Sequence, residues 1–358
     1  MKATRIGILG GGWPGVTHAQ AIGRVPGLVV TAIADLVPAR QAGLQKLCPQ
    51  AKLHVTAEAL VGDPTVDVVV VCTPTDTHEH LACMALKKGK AVVIEPPVAP
   101  SSAGARKIAK FAERYNRPAL VAFQRRFGGA EQAAWAAIDK GLIGKPYAVR
   151  ASWTRSRAVP VGTGWYGKLE KSGGGALLDL GLPLLDLAGW YLGGAGGGLA
   201  VKTAAAVTHR QFGQVVPEKL GFDAEDGASA LVVLEGGESV ELSVAWAINQ
   251  PPAANAIAVR VHGTEGCIDV YTPEGAVIYR HFNERGDAHR SVLKPPNVSG
   301  YDRLWRHVKD LVAGKEQPVC GLGVSAELMK VMERLYKSAP FNSAPFNSAA
   351  AAIQSAST

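Results

Sequence analysis

From residue 5 to about residue 127, short apolar runs rich in Val and Ile alternate with stretches whose apolar residues recur at helical spacing. Runs apolar on both faces suit parallel strands covered by helices on either side. The pattern predicts strands at Arg5 to Leu9, Leu28 to Ala34, Leu53 to Val55, Val66 to Cys72, Ala91 to Ile94 and Ala119 to Phe123. Helices are predicted between them near Gly15 to Arg24, Pro38 to Leu47, Thr77 to Lys88 and Ser101 to Tyr115. Such repetition implies a doubly wound α/β domain over residues 1–127.

Beyond residue 127 the rhythm changes. A helix near Ala130 to Lys140 and a strand at Tyr147 to Thr154 precede a glycine-marked helix from about Gly175 to Leu192. Alternating runs follow at Ala200 to Thr208, Gly227 to Glu235, Glu238 to Ala245, Ala256 to Gly263, Cys267 to Tyr271 and Val277 to Arg280, separated by turn signals such as Gly236-Gly237. They predict an α+β domain over 128–337 with an open, mainly antiparallel sheet, whose last helices, Tyr301 to Ala313 and Val324 to Lys337, pack back on the first domain. Residues 338–358, with Ala-Pro-Phe-Asn-Ser repeated at 339–343 and 344–348, are expected to be a flexible tail.

At 358 residues, 47% hydrophobic and 19% charged, the chain is globular and large enough for two cores. Its net charge of +8 is spread out; the densest group, Arg150, Arg155 and Arg157, has acidic neighbours downstream, so no nucleic-acid face is indicated. A mild positive field suits anionic cofactors and substrates. The five cysteines form no CxxC pair and are odd in number, which argues against a disulfide framework or zinc ribbon. With no apolar run of about 18 residues and no room for a leader before Ile6, the expectation is a cytoplasmic protein without membrane spans.

Gly10-Gly11-Gly12-Trp13-Pro14-Gly15 fits G-x-G-x-x-G between a predicted strand and a predicted helix, and Asp35 ends the next strand 20 residues later. Glycines permit the tight turn and close approach of backbone to a pyrophosphate, while the helix N-terminus offers unpaired N–H groups. The first domain is therefore of the Rossmann type. Asp35 would bind the adenosine ribose hydroxyls and repel a 2′-phosphate, favouring NAD over NADP, although Arg40 is near in sequence. Thr73 and Pro74, at the end of another strand, are placed on the nicotinamide ribose. His78 belongs to the same loop and is a candidate cofactor-side residue, catalytic base or metal ligand, although a histidine at a helix start is more often structural. His80 lies off the same helical face, so no metal site is read.

Together these segments resemble the glucose-fructose oxidoreductase, inositol dehydrogenase and rhizopine-catabolism family, Gfo/Idh/MocA. The likeness runs through Thr73-Pro74, Glu95-Pro96-Pro97, Gln124-x-Arg126-Phe127, Gly173-Gly174-Gly175 and Asp179-x-x-x-Pro183-x-x-Asp186. It implies NAD(P) in the first domain, with Glu95, Pro96 and Gln124 on the cofactor side, and a sugar or cyclitol against the second sheet. It also implies assembly as a dimer or tetramer. The family pattern places a lysine after Glu95 and a histidine four residues after Asp179; here both positions are proline.

Neither proline carries a proton, so the usual acid/base relay cannot run through Pro96 and Pro183. Tyr166 is the favoured replacement beside Asp179; Asp186 and His209 are alternatives. Trp165, Lys168, Pro183 and Asp186 are expected to line the substrate pocket, and Arg126 either lines it or anchors the two domains. Pro183 either kinks a helix at Asp179 or begins one, because an interior proline costs about 3 kcal/mol. The leading reading is an NAD-dependent oxidoreductase with atypical acid/base residues. A catalytically silent dinucleotide binder and an NAD-assisted lyase or hydrolase are the alternatives.

Overall fold

The computed structural model describes residues 3–156, 164–194, 198–211, 222–251, 257–282, 284–295 and 298–339. Most of the tail expectation, at 340–358, lies outside these residues. The chain begins β1 (Thr4–Leu9), α1 (Trp13–Gly23), β2 (Leu28–Ala34), α2 (Pro38–Leu47), β3 (Lys52–His54), α3 (Ala57–Val61) and β4 (Val68–Val71). It continues α4 (His78–Lys87), β5 (Ala91–Ile94), α5 (Ser102–Arg114) and β6 (Ala119–Val121). These six strands form one parallel sheet in the order β3-β2-β1-β4-β5-β6. Four consecutive valines make β4, and all four are fully buried, as a strand covered on both faces requires.

The second half contains α6 (Gly129–Asp139), β7 (Pro146–Thr154), α7 (Leu169–Ser172) and α8 (Leu182–Gly193). Seven strands follow: β8 (Val201–His209), β9 (Gly227–Leu234), β10 (Ser239–Ala245), β11 (Ile257–Gly263), β12 (Gly266–Thr272), β13 (Gly275–Arg280) and β14 (His289–Leu293). The eight-stranded sheet has the order β14-β13-β12-β11-β7-β10-β9-β8, and only β7 and β10 run parallel. Val149 and Ala151 of β7, Val240, Leu242 and Val244 of β10, and Val259 and Val261 of β11 are buried on the face that α8 covers; Arg150, Glu241 and Arg260 lie on the exposed face. That alternation is the signature of a sheet with one solvated side.

The chain closes with α9 (Gly300–Val312), packed against α1, and α10 (Leu322–Ser338), packed against both α5 and β8. Val121 N–H donates to Cys320 O at 3.1 Å, so the late segment also covers the β6 edge of the first sheet. Three elements escaped the sequence pattern. The helices α3 and α7 have five and four residues, too few to show a period, and β14 is a half-exposed edge strand.

Leu169–Gly193 forms a 25-residue helical path, apolar enough by length and composition to cross a membrane, which the sequence reading did not anticipate. Its most apolar window is 83% buried inside the protein, so it is the central helix of the second half. Three glycines near its start are required by the backbone: Gly173 has φ +80°, and Gly174 and Gly175 leave no room for a Cβ. A Cβ on Gly174 would lie 2.3 Å from the Tyr336 hydroxyl, and one on Gly175 would lie 2.0 Å from Glu225 O. The Glu225 carboxylate fills the helix start, accepting from Gly175 N–H at 2.9 Å, Leu177 N–H at 3.0 Å and Tyr336 O–H at 2.7 Å.

Asp63, between α3 and β4, accepts from Thr65 N–H and Oγ1–H, each at 2.7 Å, and pairs with His54 at 3.0 Å. The hydrogen bonds from Thr65 lead in lowering its pKa from 3.8 to about 2. Its carboxylate therefore stabilises the fold above its unfolded pKa, and that contribution is lost as pH falls through the folded one. We expect Asp63→Asn to cost about 2 kcal/mol at pH 7, a gap that narrows as pH falls from 3.8 towards 2. Denaturant unfolding of both proteins across that range measures it.

Candidate active site

The loop after β1 is shaped by contacts that only glycine tolerates. Gly10 has φ +97°, and a Cβ there would meet Cys72 O at 2.5 Å; a Cβ on Gly15 would meet Gly10 O at 2.0 Å. Gly12 is the N-cap of α1, makes no side-chain cap, and would bring a Cβ no nearer than 3.7 Å to its closest neighbour, Pro14 Cδ. The N-terminus of α1 therefore points unpaired N–H groups into a cradle that a side chain would fill. Pro14 sits in the first turn, and Trp13 at the loop tip is 71% exposed.

Asp35, at the end of β2, accepts from Gly11 N–H at 2.5 Å and Val37 N–H at 2.6 Å. Each carboxylate oxygen keeps a lone pair, and Leu36 beside it is 92% exposed. A glycine-lined helix start with a fixed carboxylate at its side fits a dinucleotide whose ribose hydroxyls donate to Asp35. Pro38 starts α2, as expected, and Arg40 is exposed.

Beside this cradle the ends of β4 and β5 are tied together. Thr77 Oγ1–H donates to Pro74 O at 2.7 Å, which leaves Thr73 to donate to Thr77 at 2.6 Å. The buried His78 ring lies 2.8 Å from both Thr73 O and Pro97 O. Desolvation lowers its pKa, against the pull of those two carbonyls. Both ring nitrogens thus face backbone carbonyls, a neutral ring donating to one of them, and in place of the expected cofactor-side role His78 is a strap between the two loops.

Glu95, ending β5, is held by a chain of donors. Trp305 Nε1–H of α9 donates to His18 Nδ1 at 3.0 Å, so the hydrogen of that ring is on Nε2, which donates to Glu95 Oε1 at 2.7 Å. Sequence reasoning missed His18 and Trp305. The signal available was a polar residue on the buried face of α1, three positions after Gly15.

Across the cleft, Asp179 lies in a π turn, Leu177–Gly181, that runs directly into α8 with Pro183 in its first turn. In a regular helix the N–H of residue 183 would bond to the carbonyl of residue 179; the wider turn removes the demand for that missing donor. The helix neither breaks nor starts afresh at Pro183. Asp179 Oδ1 accepts from Tyr166 O–H at 2.7 Å, and Oδ2 accepts from Trp246 Nε1–H at 2.7 Å. Trp246, just after β10, was missed, yet its parity with Val240, Leu242 and Val244 points it inward.

Burial raises the Asp179 pKa, opposed by the two hydrogen bonds and by the charge of Arg155. Burial also leads in raising Tyr166 well above 10, with the Asp179 and Glu95 charges acting in the same direction. Tyr166 is therefore a neutral phenol at physiological pH, a donor poised against a carboxylate with enhanced proton affinity.

Arg126 takes the anchor role of its two alternatives, and Asp186, expected in the pocket, is its partner. Arg126 is 0% and Asp186 1% exposed, joined by Nε–Oδ2 and Nη2–Oδ1 bonds of 2.8 Å each. Arg126 also donates to Val319 O at 3.2 Å, and its guanidinium carbon lies 5.7 Å from the centre of the Trp190 ring. The pair is an anchor, closed to substrate. Trp165 packs on Tyr166 with ring centres 4.6 Å apart, and Lys168, Gln124, Pro96 and Pro183 are partly exposed. His209 is an exposed residue at the end of β8. No cluster of metal-ligating side chains occurs among the described residues.

Comparison with known proteins bears on the fold and the family. The family described as "Oxidoreductase family, NAD-binding Rossmann fold" matches residues 4–123, and the "GFO/IDH/MocA C-terminal domain" matches 132–269. A protein of Amycolatopsis mediterranei named as a UDP-kanosamine synthase oxidoreductase subunit is 31% identical over 75% of each chain. Inositol 2-dehydrogenase of Rhizobium meliloti is 28% identical over 74% of each. Among solved structures, GenD2 from gentamicin A biosynthesis, in complex with NAD, is 25% identical with a TM-score of 0.78 over 95% of each chain. An oxidoreductase domain protein from Kribbella flavida shares the fold, with a TM-score of 0.82 at 21% identity over 94% of this chain and 97% of its own.

The anchor assignment is testable by stability. Arg126→Met leaves an unpaired buried carboxylate and is expected to cost roughly 3–5 kcal/mol in denaturant unfolding, while Arg126→Met with Asp186→Leu recovers most of that loss.

Proposed function

The chain belongs to the GFO/IDH/MocA family of NAD-binding oxidoreductases, and on that premise we propose that it oxidises a hydroxyl of a sugar or cyclitol with Tyr166 and Asp179 as its proton carriers. NAD, when bound, supplies the hydride acceptor. The glycine cradle and the start of α1 hold its pyrophosphate, Asp35 its adenosine ribose, and Thr73, Pro74, Glu95 and Gln124 face its nicotinamide half.

The observation that carries the reading is the 2.7 Å bond from Tyr166 to Asp179, with Trp246 holding the other carboxylate oxygen. As the substrate C–H bond gives up its hydride, the O–H proton moves to the Tyr166 oxygen. Tyr166's own proton passes to Asp179 Oδ1. Burial favours protonated Asp179, so the carboxylate can retain that proton. The return path protonates a carbonyl in the reverse direction. Pro96 and Pro183 take no part in proton transfer; they, Trp165 and Lys168 are assigned to the pocket wall.

The same reading divides the chain into a cofactor-binding part, 1–127, and a substrate-binding part, 128–337. Assembly as a dimer or tetramer is assigned to the open sheet face, where Val207 and Leu231 are exposed. Five unpaired cysteines suit a reducing, cytoplasmic setting.

NADH titration, followed by nicotinamide absorbance with NAD+ over a panel of sugars and inositols and with NADH over keto-sugars, tests the proposal; binding without turnover in either direction would overturn it in favour of a silent dinucleotide binder. Tyr166→Phe and Asp179→Asn are each expected to lower kcat by about 10²- to 10⁴-fold without weakening NADH. Because Asp179 must be ionised to accept the proton, oxidation should fall away as pH drops through its raised pKa. Asp35→Asn is expected to weaken NAD more than NADP, read by parallel titrations.

A further inference from the structure

Trp153 and Arg155 continue the inner face of β7 past Val149 and Ala151, to the end of the sheet nearest Asp179. Trp153 is partly uncovered, and two guanidinium groups flank its ring, Arg125 at 4.3 Å and Arg155 at 5.2 Å from the centroid. Arg125 is engaged, donating to Tyr271 Oη at 3.1 Å with Glu131 at 3.8 Å. Arg155 is held only by its backbone, its N–H on Ala245 O and its carbonyl under Ile248 N–H, each at 3.0 Å. Among the described residues its guanidinium makes no hydrogen bond or ion pair. Its charge nevertheless reaches both Asp179 and Tyr166.

An arginine held beside an indole by a cation–π contact is restricted in position, and its donor edge matches two oxygens of a carboxylate or phosphate. The surrounding acids, Asp179 and Glu95, repel an anion placed at random in the cleft. An anion at Arg155 meets a guanidinium that no carboxylate among the described residues neutralises.

We propose that Arg155 binds an anionic oxygen pair on the substrate, so that the preferred substrate is an acidic sugar derivative and not a neutral sugar or cyclitol. The inference rests on the oxidoreductase reading above. It identifies which member of that broad substrate class the pocket selects: the anion sits on Arg155 over Trp153, and the reacting hydroxyl faces Tyr166. Binding also neutralises Arg155, which removes its pull on Asp179 and leaves that carboxylate a stronger base while substrate is present.

The experiment is calorimetric titration of the full chain, with and without saturating NADH, against glucuronate, galacturonate, glucose 6-phosphate, UDP-glucose, glucose and myo-inositol. The expected result is at least about tenfold tighter binding of an acidic ligand than of glucose. A uronate preference identifies a carboxylate, and preference for glucose 6-phosphate or UDP-glucose a phosphate. Arg155→Met should abolish the preference, Arg155→Lys should keep part of it, and NADH affinity should be unchanged in both, which confirms that the variants are folded. Equal affinity for acidic and neutral ligands, or a preference that survives Arg155→Met, overturns the proposal. Failure of NADH to bind the parent would instead defeat the oxidoreductase reading, while the anion preference is still read in the titrations without it.

Discussion

The buried Arg126–Asp186 pair ties the end of the first sheet to the helix that covers the second. Arg126 leaves the end of the first sheet just after β6, and Asp186 projects from α8, which covers the second sheet. Two short charge-assisted bonds in a dry setting fix distance and orientation together, a geometric specificity that apolar contacts alone do not give. The cofactor cradle comes from one sheet and Asp179 from the helix that Arg126 grips. A loosened anchor would open the cleft between them without altering any residue that lines it.

Much of this architecture is written in the hydrophobic pattern. The valine runs and alternating strands are long enough to reveal their period, and the glycine turn followed by Asp35 is a local motif whose spacing survives in three dimensions. The long-range assignments were harder. Sequence leaves Arg126 open between pocket and anchor and puts Asp186 in the pocket, and only their mutual distance joins the two as an anchor. His18, Trp246 and Trp305 act through partners 77, 67 and 287 positions away, and no window along the chain contains both ends of such a bond.

The two prolines show how local geometry accommodates an unusual residue. Proline at 183 removes a hydrogen-bond donor one turn beyond Asp179, and the helix answers with a π turn at that place. The turn carries Asp179 at a widened part of the backbone, where it meets a phenol and an indole drawn from two other segments. A carboxylate that would have had an imidazole neighbour on its own helix has a tyrosine from the preceding loop.

The donor chain through Trp305 also has a bearing on synthesis. The first sheet is complete in sequence at Val121, yet the hydrogen on His18 is directed to Glu95 by an indole made 184 residues later. At ordinary elongation rates that interval is roughly 10 to 40 s. During it the nascent amino-terminal half has its strands but an uncovered β6 edge and an undirected Glu95. The finished chain therefore carries a form of proofreading by order of birth: the cofactor side of the cleft acquires its final electrostatics only when the carboxy-terminal helices dock.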